Sequence, residues 1–326
     1  MITLEKKPGQ DFIILNLSDT QLADGEWGSQ LSDILTETIR TLIERTNPSL
    51  ITISGDLAWA NHYESYRRLG DFIDSFGIPW AIVWGNHDSQ SGPEPVENVV
   101  REYLKYDHFL YERGDSALGN GNYVIRICEK EKNIAAILMM DTHSFLLRKD
   151  KEGNTEEVWA KLIPEQLHWY REQIHVLTEM GCMETVLITH IPIYAYRQAS
   201  EAAFRPDVSK ENISVAESYG SGCWNAGYED SFGVQYEGIC SHPEDEGAFD
   251  VIKKLKSTKT ILAGHDHVNN WVIPYEGVRF VYALKTGPGC YWRKELNGGT
   301  VLQVTAKGVG QIRHEYVEPD EFMKEQ

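Results

Sequence analysis

Asp19-Thr20-Gln21, Gly55-Asp56, Gly85-Asn86-His87-Asp88, His190 and Gly264-His265-Asp266-His267 are short, separated motifs built from residue types that bind metal ions through oxygen and imidazole nitrogen. Each follows a short run of strand-forming residues. Taken singly, every one has an ordinary explanation. A lone Asp after a strand serves as a turn residue, Asn-His in a turn supplies left-handed backbone, and His190 before Ile191-Pro192 can be a satisfied core histidine. Together and in this order they point to one metal-binding site, because ligands of open α/β sheets gather outside the carboxyl ends of the strands. The glycines let the chain turn sharply beside bulky ligands.

The elements that must carry these motifs are legible as hydrophobic period. Runs at 12–17, 50–54, 80–83, 123–127, 134–140, 185–189 and 260–263 read as buried strands. Leu31, Ile34, Leu35, Thr38, Ile39 and Leu42 keep helical spacing, as do Leu167, Tyr170, Ile174 and Leu177 behind Pro164. Ser241-His242-Pro243-Glu244 has capping-box spacing ahead of Phe249, Ile252 and Leu255. The alternation predicts an α/β layered fold. After Gly264 the segments 271–274, 278–283, 300–305 and 311–316 suit antiparallel hairpins that finish a second sheet. The stretch 194–247 is rich in Gly, Ser and acidic residues with little period, and its aromatics Tyr219, Trp224, Tyr228, Phe232 and Tyr236 suit an ordered lid. No composition shift divides the chain, so a single domain over 1–326 with that insertion is expected.

Composition narrows the function. The 326 residues carry 31 Lys+Arg against 49 Asp+Glu, a formal charge of -18 that repels polyanions and argues against nucleic-acid binding. No apolar run reaches the ~18 residues of a membrane span, and the first residues lack the apolar core of a secretory signal, so a cytoplasmic address is expected. The five cysteines, Cys128, Cys182, Cys223, Cys240 and Cys290, are scattered without a CxxC and read as free thiols. The basic residues that flank the later motifs, Arg197, Arg205, Lys285, Arg293 and Lys294, are placed to contact a second charged group, although most of them read as ordinary solvated charges. His62, His108, His143, His168, His175 and His314 read as surface or packing residues, and His242 as part of the capping segment.

From Asp19 to His267 the chain resembles the calcineurin-like metallophosphoesterases, whose pattern is Asp-x-His, Gly-Asp, Gly-Asn-His-Asp/Glu, His and Gly-His-x-His in that order. The resemblance implies a four-layer α/β/β/α sandwich of two mixed sheets flanked by helices. It also implies two divalent or trivalent metal ions, Mn, Fe or Zn. Asp19, Gln21 and His267 would hold one ion, Asn86, His190 and His265 the other, and Asp56 would bridge them. A hydroxide shared by such a pair attacks phosphorus in line with the leaving oxygen. His87 would protonate that oxygen, with Asp88 holding His87 in orientation. The segments 264–270 and 285–291 are similar to the branch that contains relatives of purple acid phosphatases and fungal phosphatases acting on phosphoproteins. This implies a phosphomonoesterase whose substrate is a small molecule or a phosphoprotein.

Two departures from that pattern matter. Gln21 stands where most of the family has His, and an amide oxygen tilts that position toward Mn or Fe over Zn. Trp59 stands where purple acid phosphatases carry an iron-binding Tyr, so no purple chromophore is expected. The alternatives are a phosphodiesterase acting on nucleotides or lipid head groups, and a metal-binding interaction module without catalysis. Retention of His87 and Asp88 speaks against the module.

Overall fold

The computed structural model describes residues 1–182, 184–203 and 230–322. The first half runs β1 (Ile2–Glu5), β2 (Phe12–Leu17), α1 (Gln30–Thr46), β3 (Leu50–Ser54), α2 (Tyr63–Asp74), β4 (Trp80–Val83), α3 (Asn86–Ser89), α4 (Pro93–Tyr103), β5 (Phe109–Leu110), β6 (Tyr123–Glu129) and β7 (Lys132–Met139). The second runs β8 (Phe145–Lys149), β9 (Thr155–Trp159), α5 (Pro164–Glu179), β10 (Thr185–Ile188), α6 (Ala195–Ala203), α7 (Ala248–Leu255), β11 (Thr258–Ala263), β12 (Val272–Tyr275), β13 (Val278–Tyr282), β14 (Gly298–Thr305) and β15 (Gly308–Tyr316).

These strands form a seven-stranded sheet ordered β1-β6-β7-β10-β11-β13-β12 and a six-stranded sheet ordered β15-β14-β2-β3-β4-β5. Alternation along the strands shows how they stack. In β4, Trp80 and Ile82 pack with α1, α2 and α4, whereas Ala81 and Val83 face the other sheet. In β7, Ala136 and Leu138 pack with α5 to α7, whereas Ala135, Ile137 and Met139 face inward. Strands buried on both faces read as continuous apolar runs. The result is the four-layer α/β/β/α sandwich with mixed sheets flanked by helices.

The structure corrects several local expectations. Helix α7 starts at Ala248 behind Gly247 in the left-handed region, so Ser241 and Glu244 do not cap it. Ser241 Oγ instead accepts Arg197 Nε–H at 2.7 Å. The late hairpins split between the sheets: β12 and β13 end the seven-stranded one, while β14 pairs with β2 and carries β15 to the edge of the other. The segment expected to be an irregular lid opens with α6, buried through Tyr196, Ala199 and Ala203. Tyr219, Trp224, Tyr228, Arg205 and Cys223 lie outside the described residues. The other four cysteines are free thiols. No helix among the described residues is long and apolar enough to cross a membrane.

Candidate metal centre

The motif residues leave the carboxyl ends of β2, β3, β4, β10 and β11 and converge. Asp19, Gln21, Asp56 and His265 have φ of 55°, 26°, 51° and 77°, a left-handed conformation that non-glycine residues seldom adopt. Such backbone persists where its surroundings over-determine it, and functional sites are where it collects. Gly55 (φ 92°) is required twice over, because a Cβ there would also lie 2.4 Å from His190 Nδ1. Gly55→Ala is therefore expected to lose about 2 kcal/mol or more in denaturant unfolding. Gly9→Ala is the control, since Gly9 shares the positive φ but has open space around it.

Two donor triads share one carboxylate. Asp56, His190 and His265 form the first and Asp19, Asp56 and His267 the second, with the ligand atoms of each within 4.8 Å of one another and every residue buried. Hydrogen bonds settle which nitrogens face inward. His190 Nδ1 lies 2.8 Å from the Ser54 carbonyl, which only accepts, so in the neutral ring the lone pair is on Nε2. That Nε2 lies 3.0 Å from Asn86 Oδ1 and 3.3 Å from Asp56 Oδ2, so a proton on Nε2 or a metal ion in its place satisfies both oxygens. His267 repeats the arrangement: Nδ1 is 2.9 Å from the Tyr291 carbonyl, and Nε2 is 3.4 Å from Asp19 Oδ1. Gln21 Nε2–H donates to Asp56 Oδ2 at 2.8 Å.

Buried acceptors gathered around one shared carboxylate are satisfied by a proton or a metal cation among them. Asp19 Oδ1, Gln21 Oε1 and His265 Nε2 are buried without a hydrogen-bond partner, as is Asn86 Nδ2, whose amide can turn to exchange oxygen for nitrogen. Carboxylate, amide oxygen and imidazole together suit Mn, Fe or Zn. The residues present therefore fit a metal centre. Local electrostatics favour positive charge beside the shared carboxylate. Burial alone would lower His190, but the Asp56 carboxylate beside it carries it up to about 10. Burial would raise Asp19 and Asp56, yet His267 beside Asp19 and His190 beside Asp56 hold both below the usual carboxylate range. Burial, with His190 close by, pushes His265 down to about 3, leaving a neutral ring.

His87 lies at the edge of this cluster. Its peptide N–H donates to Asp56 Oδ1 at 2.9 Å, and its ring lies against Trp59 with centroids 4.3 Å apart. Nδ1 lies 2.8 Å from Gln90 Oε1, and among the described residues nothing bonds Nε2. The expectation that Asp88 orients His87 is not met. Asp88 Oδ1 accepts from Leu57 N–H at 3.0 Å, Ala58 N–H at 3.3 Å and Tyr66 Oη–H at 2.7 Å, and Oδ2 from Gly85 N–H at 2.8 Å. It ties the Asp56 loop to the Gly85 turn. Burial and the Asp56 charge push its carboxyl up to about 7.

Other neighbours were not anticipated from the sequence. Ser144 Oγ–H donates to the Asn86 carbonyl at 3.0 Å, and Thr142 Oγ1 accepts Ile191 N–H at 2.9 Å. Asp141-Thr142-His143-Ser144 follows β7 just as the other motifs follow their strands, and that placement was the available signal. Tyr291 stacks on His267 at 4.2 Å, and Trp159 meets His265 edge-on at 4.3 Å. Lys285, expected in solvent, is 3% exposed and donates from Nζ to the Asp19 carbonyl. Cys240, His265 and Asp266 also meet metal-ligand spacing, but the Asp266 carboxylate already accepts from Cys240 N–H and Tyr282 Oη–H.

Comparison with known proteins gives a consistent picture. The family model described as Calcineurin-like phosphoesterase matches residues 12–269. A protein named probable inactive purple acid phosphatase 28, from Arabidopsis thaliana, is 25% identical over 310 residues, covering 86% of this chain and 68% of that protein. Phosphatase DCR2 of Saccharomyces cerevisiae is 22% identical over 324 residues, covering 90% of this chain and 50% of that protein. Among solved structures, a dimetal phosphatase from Danio rerio superposes with a TM-score of 0.52 at 14% identity, covering 93% of this chain and 98% of that one. That likeness concerns the fold.

Proposed function

The chain belongs to the calcineurin-like phosphoesterase family, and from that premise we propose that it is a phosphomonoesterase working through a binuclear metal centre. Metal-dependent hydrolysis of phosphoric esters follows from membership; the preference for monoesters and the residue roles are our reading. Asp19, Gln21 and His267 would hold one ion and Asn86, His190 and His265 the other, with Asp56 contributing to both. The observation that carries this is the pair of buried donor triads meeting at Asp56, with acceptor atoms left unpartnered around them. Ions in such a site supply Lewis acidity, which activates water and offsets phosphate charge.

The chain's own groups do the rest. Asp19 and Asp56 stay ionised across neutral pH, since both lie below the usual carboxylate range. The Asp56 loop is fixed by Asp88 and Gln21, so little rearrangement is needed during the reaction. His87, with Nδ1 beside the Gln90 side-chain amide and its ring against Trp59, presents Nε2 to the leaving oxygen and donates from it as the imidazolium, or as the neutral ring with the Gln90 NH2 turned to Nδ1. The relatives reported above are named as phosphatases, which supports a monoester over a diester. The word inactive in one of those names favours a second reading, a module that binds metal without turnover. A histidine with an unengaged Nε2 beside the shared carboxylate speaks against it.

The test is turnover by protein loaded with Mn(II), Fe, Zn, Ni or Co. Hydrolysis of p-nitrophenyl phosphate in preference to its bis ester, lost on chelation and regained with metal, is expected. Preference for the bis ester would make the protein a diesterase. No cleavage with any of these metals would leave the module.

A further inference from the structure

Lys285 is a buried basic residue beside the centre whose charge the assigned roles do not use. It follows β13 by way of Ala283 and Leu284, and opens a loop clamped onto the loop that carries Asp19. Thr286 N–H donates to the Ser18 carbonyl at 2.9 Å, and Ser18 N–H returns a bond to Thr286 Oγ1 at 3.2 Å. Gly289 lies so close to this loop that a Cβ would meet the Gln21 and Thr20 carbonyls at 2.6 and 2.7 Å. The same loop supplies the Tyr291 carbonyl that orients His267. Within it Lys285 Nζ donates to the Asp19 carbonyl; burial pushes its ammonium down, and the carboxylates of Asp19, Asp56 and Glu237 act against that to keep the charge.

A neutral donor would satisfy that carbonyl without taking a charge out of water, which is costly unless the charge interacts with others. Two of the nearby carboxylates, Asp19 and Asp56, are metal-binding residues themselves, and the further anion such a site receives is phosphate. Lysine binds phosphate as a point charge.

We infer that Lys285 is a fixed cation of the site, placed to strengthen binding of the phosphate dianion and, by the same charge, to weaken metal binding. This rests on the phosphoesterase reading. It predicts opposite effects on two ligands, which a mere prop for the Asp19 loop would not produce.

The experiment compares wild type with Lys285→Met, Lys285→Gln and Lys285→Arg. Mn(II) affinity of metal-stripped protein is measured by calorimetry, and inorganic phosphate affinity on the Mn(II)-loaded protein. In the neutral variants Mn(II) is expected to bind about threefold to tenfold tighter and phosphate about tenfold weaker, with the Arg variant close to wild type. Loss of affinity for both ligands in the neutral variants would overturn the inference. So would an Arg variant that behaves like the Met variant. Neutral variants that fail to fold even with Mn(II) would do the same, because Lys285 would then be a structural prop. Neither binding measurement needs turnover, so failure here is distinct from failure of the proposed activity.

Discussion

Asp56→Asn is expected to empty or weaken both metal positions and to lower turnover by about a thousandfold or more, the largest effect of any single substitution here. The change is nearly isosteric, so the loss traces to chemistry. Asp56 is common to both donor triads, and its two oxygens already accept from His87 N–H at 2.9 Å and Gln21 Nε2–H at 2.8 Å. An asparagine must turn its NH2 toward one of these donors whichever way it is placed, while also removing a negative charge. Metal analysis of the purified variant, with circular dichroism to confirm folding, checks this. A full metal complement in the variant would contradict the shared role.

His87→Ala should behave in the opposite way, keeping its metal while turnover falls by about 10² to 10⁴. The backbone N–H that serves Asp56 survives the substitution, and none of the inward-facing donors belongs to the His87 ring. The deficit should be smaller for p-nitrophenyl phosphate, whose leaving group needs little protonation, than for an alkyl phosphate. Equal losses on the two substrates would argue against proton donation, and unchanged turnover would remove the role altogether.

The sequence made the layered fold readable because strands covered on both faces, such as Trp80–Val83, must be apolar throughout. It also pointed to the donor residues, since each follows such a strand. What it left hidden were partnerships set by direction or by distant segments. Asp88 was expected to reach His87 because the two are adjacent. In the short helix Asn86–Ser89, adjacent side chains diverge, and the residue three positions on, Gln90, is the one that meets the ring. Lys285 looked like a solvated charge because its burial depends on Asp19, 266 positions away. The Ser241 to Glu244 spacing matched a cap, yet Arg197 on another element claims the serine.

The pairing of β14 with β2, Thr300 beside Asn16, joins segments far apart in the sequence next to the site. As the protein emerges from the ribosome, β2 is made well before β14, and the flank that takes β14 stays unpaired until residues 298–305 have been synthesised. His267, Lys285 and Tyr291 arrive in that same late portion. Until that segment is made, the cage lacks His267 and the loop that orients it, so a finished cage follows synthesis of the strand that closes the sheet.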